Sequence, residues 1–456
     1  MNPLKPIIGL ETAVNPIDSF IQEYGYGKDW FVEYCGDYQQ QNRVMDIVNK
    51  KLYLAGEHAI LNKRFTTLDK DIHIPNKIVL QYAKQLLTYA TSFLIGNKIT
   101  LSGNERVVEE FRKIYKTSDY DKKDFDLVHN VNKFGNAYEY VWIKPGQARK
   151  ISSKIIDPAD SFPVYGHEGE YVAFVEHYVS GNVSYYNVYY PDRVQKYSNA
   201  GGSLMLKNTF SNLSGLPVVY RNDNPLDSRY GRSDLEDYMT ILDSLELLLT
   251  KSVISYYSFI SGIPVITGQR LFDKKAYKDA EGLDRNVVGE GLQLDSDSTF
   301  KFESNEISHE AFEKLYKTLM TSLLDVASVP AVAMGKADVS NLSEISIKLM
   351  YSMASIRARV TEKYIKESMR VRFDKIRTLL EYKGITFSDE EYESLDITFT
   401  HSIPQSETDI ISNLKTLREM GAMSIESVVT NSPYTSDTNS ELQKLQSEIK
   451  QDTNNV

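Results

Sequence analysis

The chain of 456 residues holds a single cysteine, Cys35, so no intrachain disulfide framework can form. No apolar run approaches the roughly 18 residues that span a bilayer, and the opening MNPLKPIIGLETAV lacks both a basic segment followed by an apolar one and a cleavage site. These absences predict a reducing, cytosol-like compartment and no membrane partner. Cationic charge is short as well: 52 Lys and Arg face 62 Asp and Glu, a formal net charge of -10. That balance disfavours a protein that grips nucleic acid over a broad basic surface, because phosphate neutralisation drives such binding. It does not disfavour one that surrounds DNA without holding it.

Catalytic signatures are missing too. Gly335-Lys336 is followed by Ala337, and Gly27-Lys28 is followed by Asp29 with Gln22 where a phosphate loop needs its first glycine. Gly25/Gly27 and Gly289/Gly291 lack the third glycine of a dinucleotide fingerprint, and neither a nucleophile elbow nor a zincin motif occurs. His58, His73, His129, His167, His177, His309 and His401 show no ligand spacing and read as surface or satisfied core histidines. Cys35 reads as a packed thiol. The acidic runs Asp119/Asp121/Asp124/Asp126 and Asp234/Glu236/Asp237 could in principle hold a metal, but among lysines they read as solvated helix entries. The expectation is no enzyme, no cofactor and no metal.

What the chain does have is a long helical stretch. A helix from Ser308 to about Ser328 breaks at Val329-Pro330. A short polar loop follows, and then Lys336 to Lys383 contains neither Gly nor Pro. Apolar residues recur at Leu349, Met353, Ile356, Val360 and Tyr364, then at Ile365, Met369, Phe373, Ile376 and Leu380, and Gly384 supplies the stop. Roughly forty residues at ~1.5 Å each predict a rod of about 60 Å, more than one ordinary core supports.

Upstream, residues 1 to about 60 read as helical. Another helix carries Ile78, Tyr82, Leu86, Tyr89 and Phe93 on one face and stops at Gly96, and further ones cover about 105–115 and 123–134. From Ala137 the period becomes two: AYEYVWI, YVAFVEHYV, VSYYNVYY, SLMLKN and LPVVYRND read as an antiparallel sheet region, where many of the 31 tyrosines fall. A second strong helix, Asp234 to about Ser261, presents Leu235, Tyr238, Leu242, Leu245, Leu249, Val253, Tyr256 and Ile260. Between it and the Ser308 helix lies a small insert with strand candidates IPVITG, GLQL and TFKFE around a charged, turn-rich middle. The two helices could form a stalk with that insert at its tip. A strand is expected at 395–401, then short helices at about 408–420, 424–430 and 439–451. The fold class is α+β and mostly helical.

YLAGEHAILNKR, PNKIVLQYAKQLLTYATSFLIGNKI, FGNAYEYVWI, IDPADSFPVY, LPVVYRND, LEDYMTILDSLELLLTKS and VPAVAMGKADVSNLSEISIKLMYSMAS stand in an order that resembles the portal proteins (head-tail connectors) of tailed double-stranded DNA bacteriophages, of the siphophage type from phages of Gram-positive bacteria. The resemblance covers about residues 40 to 430. It departs where the family often has Ser-Gly followed by Ala and this chain has Ser343-Glu344-Ile345. The carboxy-terminal region is also short for the family's crown.

The resemblance implies a portal fold: residues 1–231 as an N-terminal wing region, 232–261 as the first stem helix, 262–307 as a small α/β clip and 308–329 as the second stem helix. A tunnel loop would span 330–342, a long wing helix and strand 343–404, and a short crown and polar tail 405–456. It further implies a homo-oligomeric ring of about twelve subunits at one capsid vertex of the virion, assembled in the host bacterial cytoplasm. Double-stranded DNA would pass through it. Partners would be the terminase large subunit, the major capsid and scaffolding proteins, and a head-tail adaptor. Met334, Lys336, Asp338, Ser340 and Asn341 would line the tunnel loop, and Arg270, Lys274, Lys275, Lys278 and Arg285 would form the terminase- and adaptor-binding clip surface. The competing readings are a terminase-like DNA-processing enzyme, which needs a nucleotide loop or a carboxylate metal site, and a non-enzymatic helical scaffold.

Overall fold

The computed structural model describes residues 16–65, 77–144, 150–260, 263–267, 299–303, 309–335, 344–403, 407–435 and 438–454. From the amino terminus run α1 (Pro16–Glu23), α2 (Trp30–Gly36), α3 (Tyr38–Ala55), α4 (Ala59–Asn62) and α5 (Tyr82–Ile95), then strand β1 (Thr100–Ser102), α6 (Glu105–Thr117) and α7 (Tyr120–Phe134). Eight strands follow: β2 (Asn136–Ile143), β3 (Ile151–Ile156), β4 (Ser161–Tyr165), β5 (Tyr171–Ser180), β6 (Val183–Tyr189), β7 (Arg193–Ser198), β8 (Met205–Ser211) and β9 (Val218–Arg221). Next come α8 (Leu235–Ile260), β10 (Ile263–Thr267), β11 (Thr299–Glu303), α9 (His309–Val326), a 3-10 turn (Ala331–Met334), α10 (Glu344–Met350) and α11 (Ser352–Tyr382). The chain closes with α12 (Asp389–Glu393), β12 (Asp396–Thr398), α13 (Glu407–Glu419), α14 (Ile425–Asn431) and α15 (Thr438–Asn454). The class is α+β, as expected, and no described helix is long and apolar enough to cross a membrane.

The described chain forms two compact units. The larger comprises residues up to 48, 86–235 and 327 onward. Its described strands form an antiparallel pair, β1-β12, and two larger antiparallel sheets, of order β3-β2-β9 and β4-β5-β6-β7-β8. The five-stranded sheet is a meander whose tyrosines meet across strands: His177 opposes Tyr186 and Tyr178 opposes Tyr185, with ring centroids 4.2 Å and 5.2 Å apart. The three-stranded sheet lies against α7 and α11, and one continuous core joins Val107, Phe111, Val131, Val141, Tyr220, Ile365, Phe373 and Ile376. Trp30, Phe31 and Cys35 pack on the meander with Phe162, Val175 and Val188. Burial pushes the Cys35 thiol far above its ordinary range, so it is the inert group expected.

Local chemistry accounts for these elements. Helix α6 starts on the Asn104 side chain, which accepts from Arg106 N–H, and buries Val107, Val108, Phe111, Ile114 and Tyr115 on one face. Helix α7 ends on Gly135 at φ 84°. A Cβ there would sit 2.2 Å from the Gly231 carbonyl oxygen, and one on Gly231 would sit 2.2 Å from the Gly135 oxygen. Two backbones can pass this closely only as a glycine pair.

The smaller unit comprises residues 49–85 and 236–326. Strands β10 and β11 pair antiparallel, Ile263 with Glu303 through Thr267 with Thr299, so the insert returns to the place it left. Near that end the Tyr256 hydroxyl lies 2.9 Å from His309 Nδ1. Lys50 is buried against Glu236 at 2.5 Å, and Ile78 N–H donates to Thr250 Oγ1 at 3.2 Å.

Candidate assembly surface on the long helix

Helix α9 ends at Val326, Ser328 takes φ 55°, and Pro330 follows in extended conformation. The residue before a proline is steered away from helix, so the chain turns where the sequence indicated. Met334 ends the 3-10 turn and Gly335 caps it at φ 64°, donating to the Ala331 and Val332 carbonyls. Lys336, Asp338, Ser340 and Asn341 lie outside the described residues, and so do Arg270, Lys274, Lys275, Lys278 and Arg285.

The single long helix predicted from here is two helices. Tyr351 interrupts it with φ -87° and ψ 1°, its ring buried against Phe93 at 6.1 Å, and α11 starts anew with Tyr351 as its cap. The remaining 31 residues still make about 46 Å of rod. The stop is as expected: Gly384 at φ 87° with Gly384 N–H on Glu381 O and Ile385 N–H on Leu380 O, the paired bonds of a glycine-terminated helix.

The two apolar series of this stretch lie on different faces. At ~100° per residue, Met353, Ile356 and Val360 share an arc of about 60°, whereas Ile365, Met369, Phe373, Ile376 and Leu380 sit roughly opposite. The second series is 0–2% exposed. The first is not: Met353 is 58% and Ile356 56% exposed, Val360 and Leu349 are also open, and Val371 lies on the same line. Behind the exposed stripe, the inner face of the same turns is Ala354 and Ala358. Apolar side chains aligned on the open face of such a helix form a candidate contact surface.

Polar groups hold α11 in place. Arg372, wholly buried, donates from Nη1 to Asp124 Oδ1 at 2.5 Å and from Nε to Glu139 Oε2 at 2.7 Å. Tyr115 and Tyr220 hydroxyls close on the guanidinium at 3.2 Å and 2.8 Å, and the Tyr120 ring covers it at 4.7 Å. Burial pushes the Asp124 carboxyl up to about 6 against the pull of Arg372, which keeps it ionised at neutral pH. One helical stretch earlier, Arg357 pairs with buried Asp234 at 2.6 Å, and Asn222 Nδ2 donates to the same Asp234 oxygen at 2.7 Å. The Tyr364 hydroxyl donates to Asp223 at 2.6 Å.

Asp124 and Asp234 therefore correct the reading of both acidic runs as solvated helix entries. A signal existed in the first case. Asp124 precedes Leu127, Val128 and Val131 by three, four and seven residues, in line with the buried face of α7. Arg372 likewise falls seven residues after Ile365 and three after Met369.

A family model described as "Phage portal protein, SPP1 Gp6-like" matches residues 37–455. Among characterised proteins, the "Portal protein" of Bacillus phage SPP1 is 21% identical over 439 residues, spanning 88% of this chain and 82% of that protein. Solved structures with similarity include a chain of the "Virion of native gene transfer agent (GTA) particle", at 14% identity and TM-score 0.41 over 74% of this chain and 84% of that one. A chain of the "Neck of empty GTA particle computed with C6 symmetry" aligns at 13% identity and TM-score 0.44 over 75% and 86%.

Proposed function

This chain belongs to the SPP1 Gp6-like family of phage portal proteins, and from that premise we propose that it closes into a ring of about twelve copies at one vertex of a phage capsid. The ring is the channel through which double-stranded DNA is packaged and ejected. It docks the terminase large subunit during packaging and a head-tail adaptor afterwards, and it meets the major capsid and scaffolding proteins on its flank. Residues 262–307 are its clip and 330–342 its tunnel loop. The division of labour leaves ATP hydrolysis to the terminase.

The observation that carries this reading is the stripe Leu349, Met353, Ile356 and Val360. In a ring, each copy offers one face to the next copy's different face, and the contact repeats until rotation closes it. Burying the open part of Met353 and Ile356 contributes about 1 kcal/mol per side chain, multiplied by every interface of the ring. The acidic balance suits the channel, because a passage through which DNA slides must hold phosphates weakly.

Light scattering and negative-stain microscopy of the untagged protein test it. The expected result is closed rings, lost in M353E/I356E while tryptophan fluorescence and circular dichroism of the monomer stay native. Rings that form as readily in that variant would remove the stripe from the interface, and a wild-type chain that stays monomeric at every concentration would overturn the ring.

A further inference from the structure

We infer that His58, Asp243 and Glu246 form a binding site for one divalent transition-metal ion of the zinc and manganese class, within the smaller unit and independent of the portal reading. One ligand atom from each residue lies within 4.8 Å of the others, the one such grouping among the described residues. Asp243 and Glu246 stand three residues apart on α8, which places both carboxylates on one helix face. His58 comes from the turn before α4.

The surroundings are those of a ligand set. His58 Nε2 lies 2.9 Å from the Tyr53 main-chain carbonyl, an acceptor that takes the ring proton and leaves Nδ1 facing the carboxylates. The Tyr53 ring stacks on the imidazole, with centroids 3.8 Å apart and planes at 11°, and fixes its orientation. The Tyr53 hydroxyl donates to Asp243 Oδ1 at 3.2 Å, so one residue orients two of the three ligands. Glu246 is fully buried. Its Oε1 accepts from Leu80 N–H at 2.7 Å and lies 2.6 Å from His58 Nδ1, while its Oε2 is enclosed with no hydrogen-bond partner.

That orphaned oxygen is the second observation pointing to a ligand. A buried carboxylate oxygen without a donor carries a desolvation cost that a cation removes. Bonds of about 2.0–2.2 Å to zinc hold neighbouring donors further apart than the present His58–Glu246 contact. An ion bound through Oε2 would leave Oε1 on the Leu80 amide. Two carboxylates, a neutral imidazole and a divalent ion sum to zero charge, the condition a buried site requires. Imidazole with carboxylate and no thiolate suits zinc, manganese or cobalt over a purely oxygen-seeking ion. The ion would fasten the segment after α3 to the side of α8.

The test uses untagged full-length protein stripped with chelator and titrated with zinc chloride, then with cobalt chloride read by its visible absorption. The expected result is one equivalent of zinc per chain, cobalt bands of a nitrogen- and oxygen-ligated ion, and a melting temperature raised by zinc. In D243N, whose side chain is partly exposed and still accepts from Tyr53, affinity should fall at least 100-fold with the melting temperature of the stripped protein little changed. E246Q should fall likewise. Uptake below one-tenth of an equivalent by the wild type, or equal binding by both variants, would overturn the site and leave His58 and Glu246 as a simple hydrogen-bonded pair.

Discussion

Replacing Arg372 with Met removes the guanidinium that pairs with two wholly buried carboxylates, Asp124 and Glu139. Taking one partner from a buried ion pair costs about 3–5 kcal/mol. Part of that deficit depends on pH through protonation. The variant can relieve the stranded charge by holding a proton on one carboxyl, and from an ordinary value of 3.8 to pH 7 that costs about 4 kcal/mol at 1.36 kcal/mol per unit. Asp124 already bears about 3 kcal/mol of that in the wild type, so the pH-dependent part of the deficit is about 1.4 kcal/mol, and protonation fixes its sign. A carboxyl whose folded pKa stands above its unfolded one binds more protons in the folded state, so stability falls as pH rises through the window between the two. In the wild type that window runs from 3.8 to about 6 for Asp124. In R372M it extends to neutral pH and above. The deficit should therefore be about 4 kcal/mol at pH 7 and shrink by about 1.4 kcal/mol in all toward pH 5, most of it above pH 6, because below about 6 the wild type gains from acid as well. Both tryptophans, Trp30 and Trp142, lie in the larger unit. Urea unfolding followed by tryptophan fluorescence thus reports that unit alone. A deficit under about 1 kcal/mol at pH 7, or one that does not change with pH, refutes the reasoning.

Two shorter predictions concern the backbone and the channel. G135A must take φ 84° and push a Cβ into the Gly231 carbonyl, so it should cost more than the ~1 kcal/mol of an ordinary glycine replacement; a variant that unfolds at the wild-type urea concentration contradicts the close passage. D338K, which removes the acidic residue that offsets Lys336 in the proposed tunnel loop, should slow DNA passage and make packaging more salt-dependent without affecting ring assembly, as read by packaged DNA per particle at two ionic strengths.

What could be read in the sequence follows the range over which each element is determined. Helices α6, α7 and the last two-thirds of α11 carry their own periodicity and their own stops, and they stand within a few residues of where the pattern places them. Strands β3 (ISSKII) and β7 (RVQKYS) are short and half polar. They exist because β2 and β6 pair with them, a neighbour's contribution that no local pattern contains. The brief α12 carries a capping box, Ser388 with Glu391, but is too short for periodicity to reveal. The helix break at Tyr351 coincides with its ring meeting Phe93 in α5, far away along the chain. The grouping of His58 with Asp243 and Glu246 is of the same kind: His58 is more than 180 residues from the two carboxylates, and only the fold brings them together.

The change of apolar face between Tyr364 and Ile365 was present in the sequence, and it connects the core to the surface. An apolar series at Ile365, Met369, Phe373, Ile376 and Leu380 repeats every three or four residues, so by itself it would fit the sheet almost as well after a slip of one turn. Arg372 does not repeat. A one-turn slip of about 5.4 Å would carry its guanidinium out of the cage formed by Asp124, Glu139, Tyr115 and Tyr220. The buried charges thus set the register of α11 more than they add to its stability, and the register decides where Met353, Ile356 and Val360 face outward. The variant D124N/E139Q/R372M separates the two roles. It strands no charge and should recover most of the stability that R372M loses. With register loosened, its rings should still be fewer and more varied in diameter than those of the wild type. Rings of wild-type yield and uniformity from this stable triple variant would show that apolar packing alone sets the register.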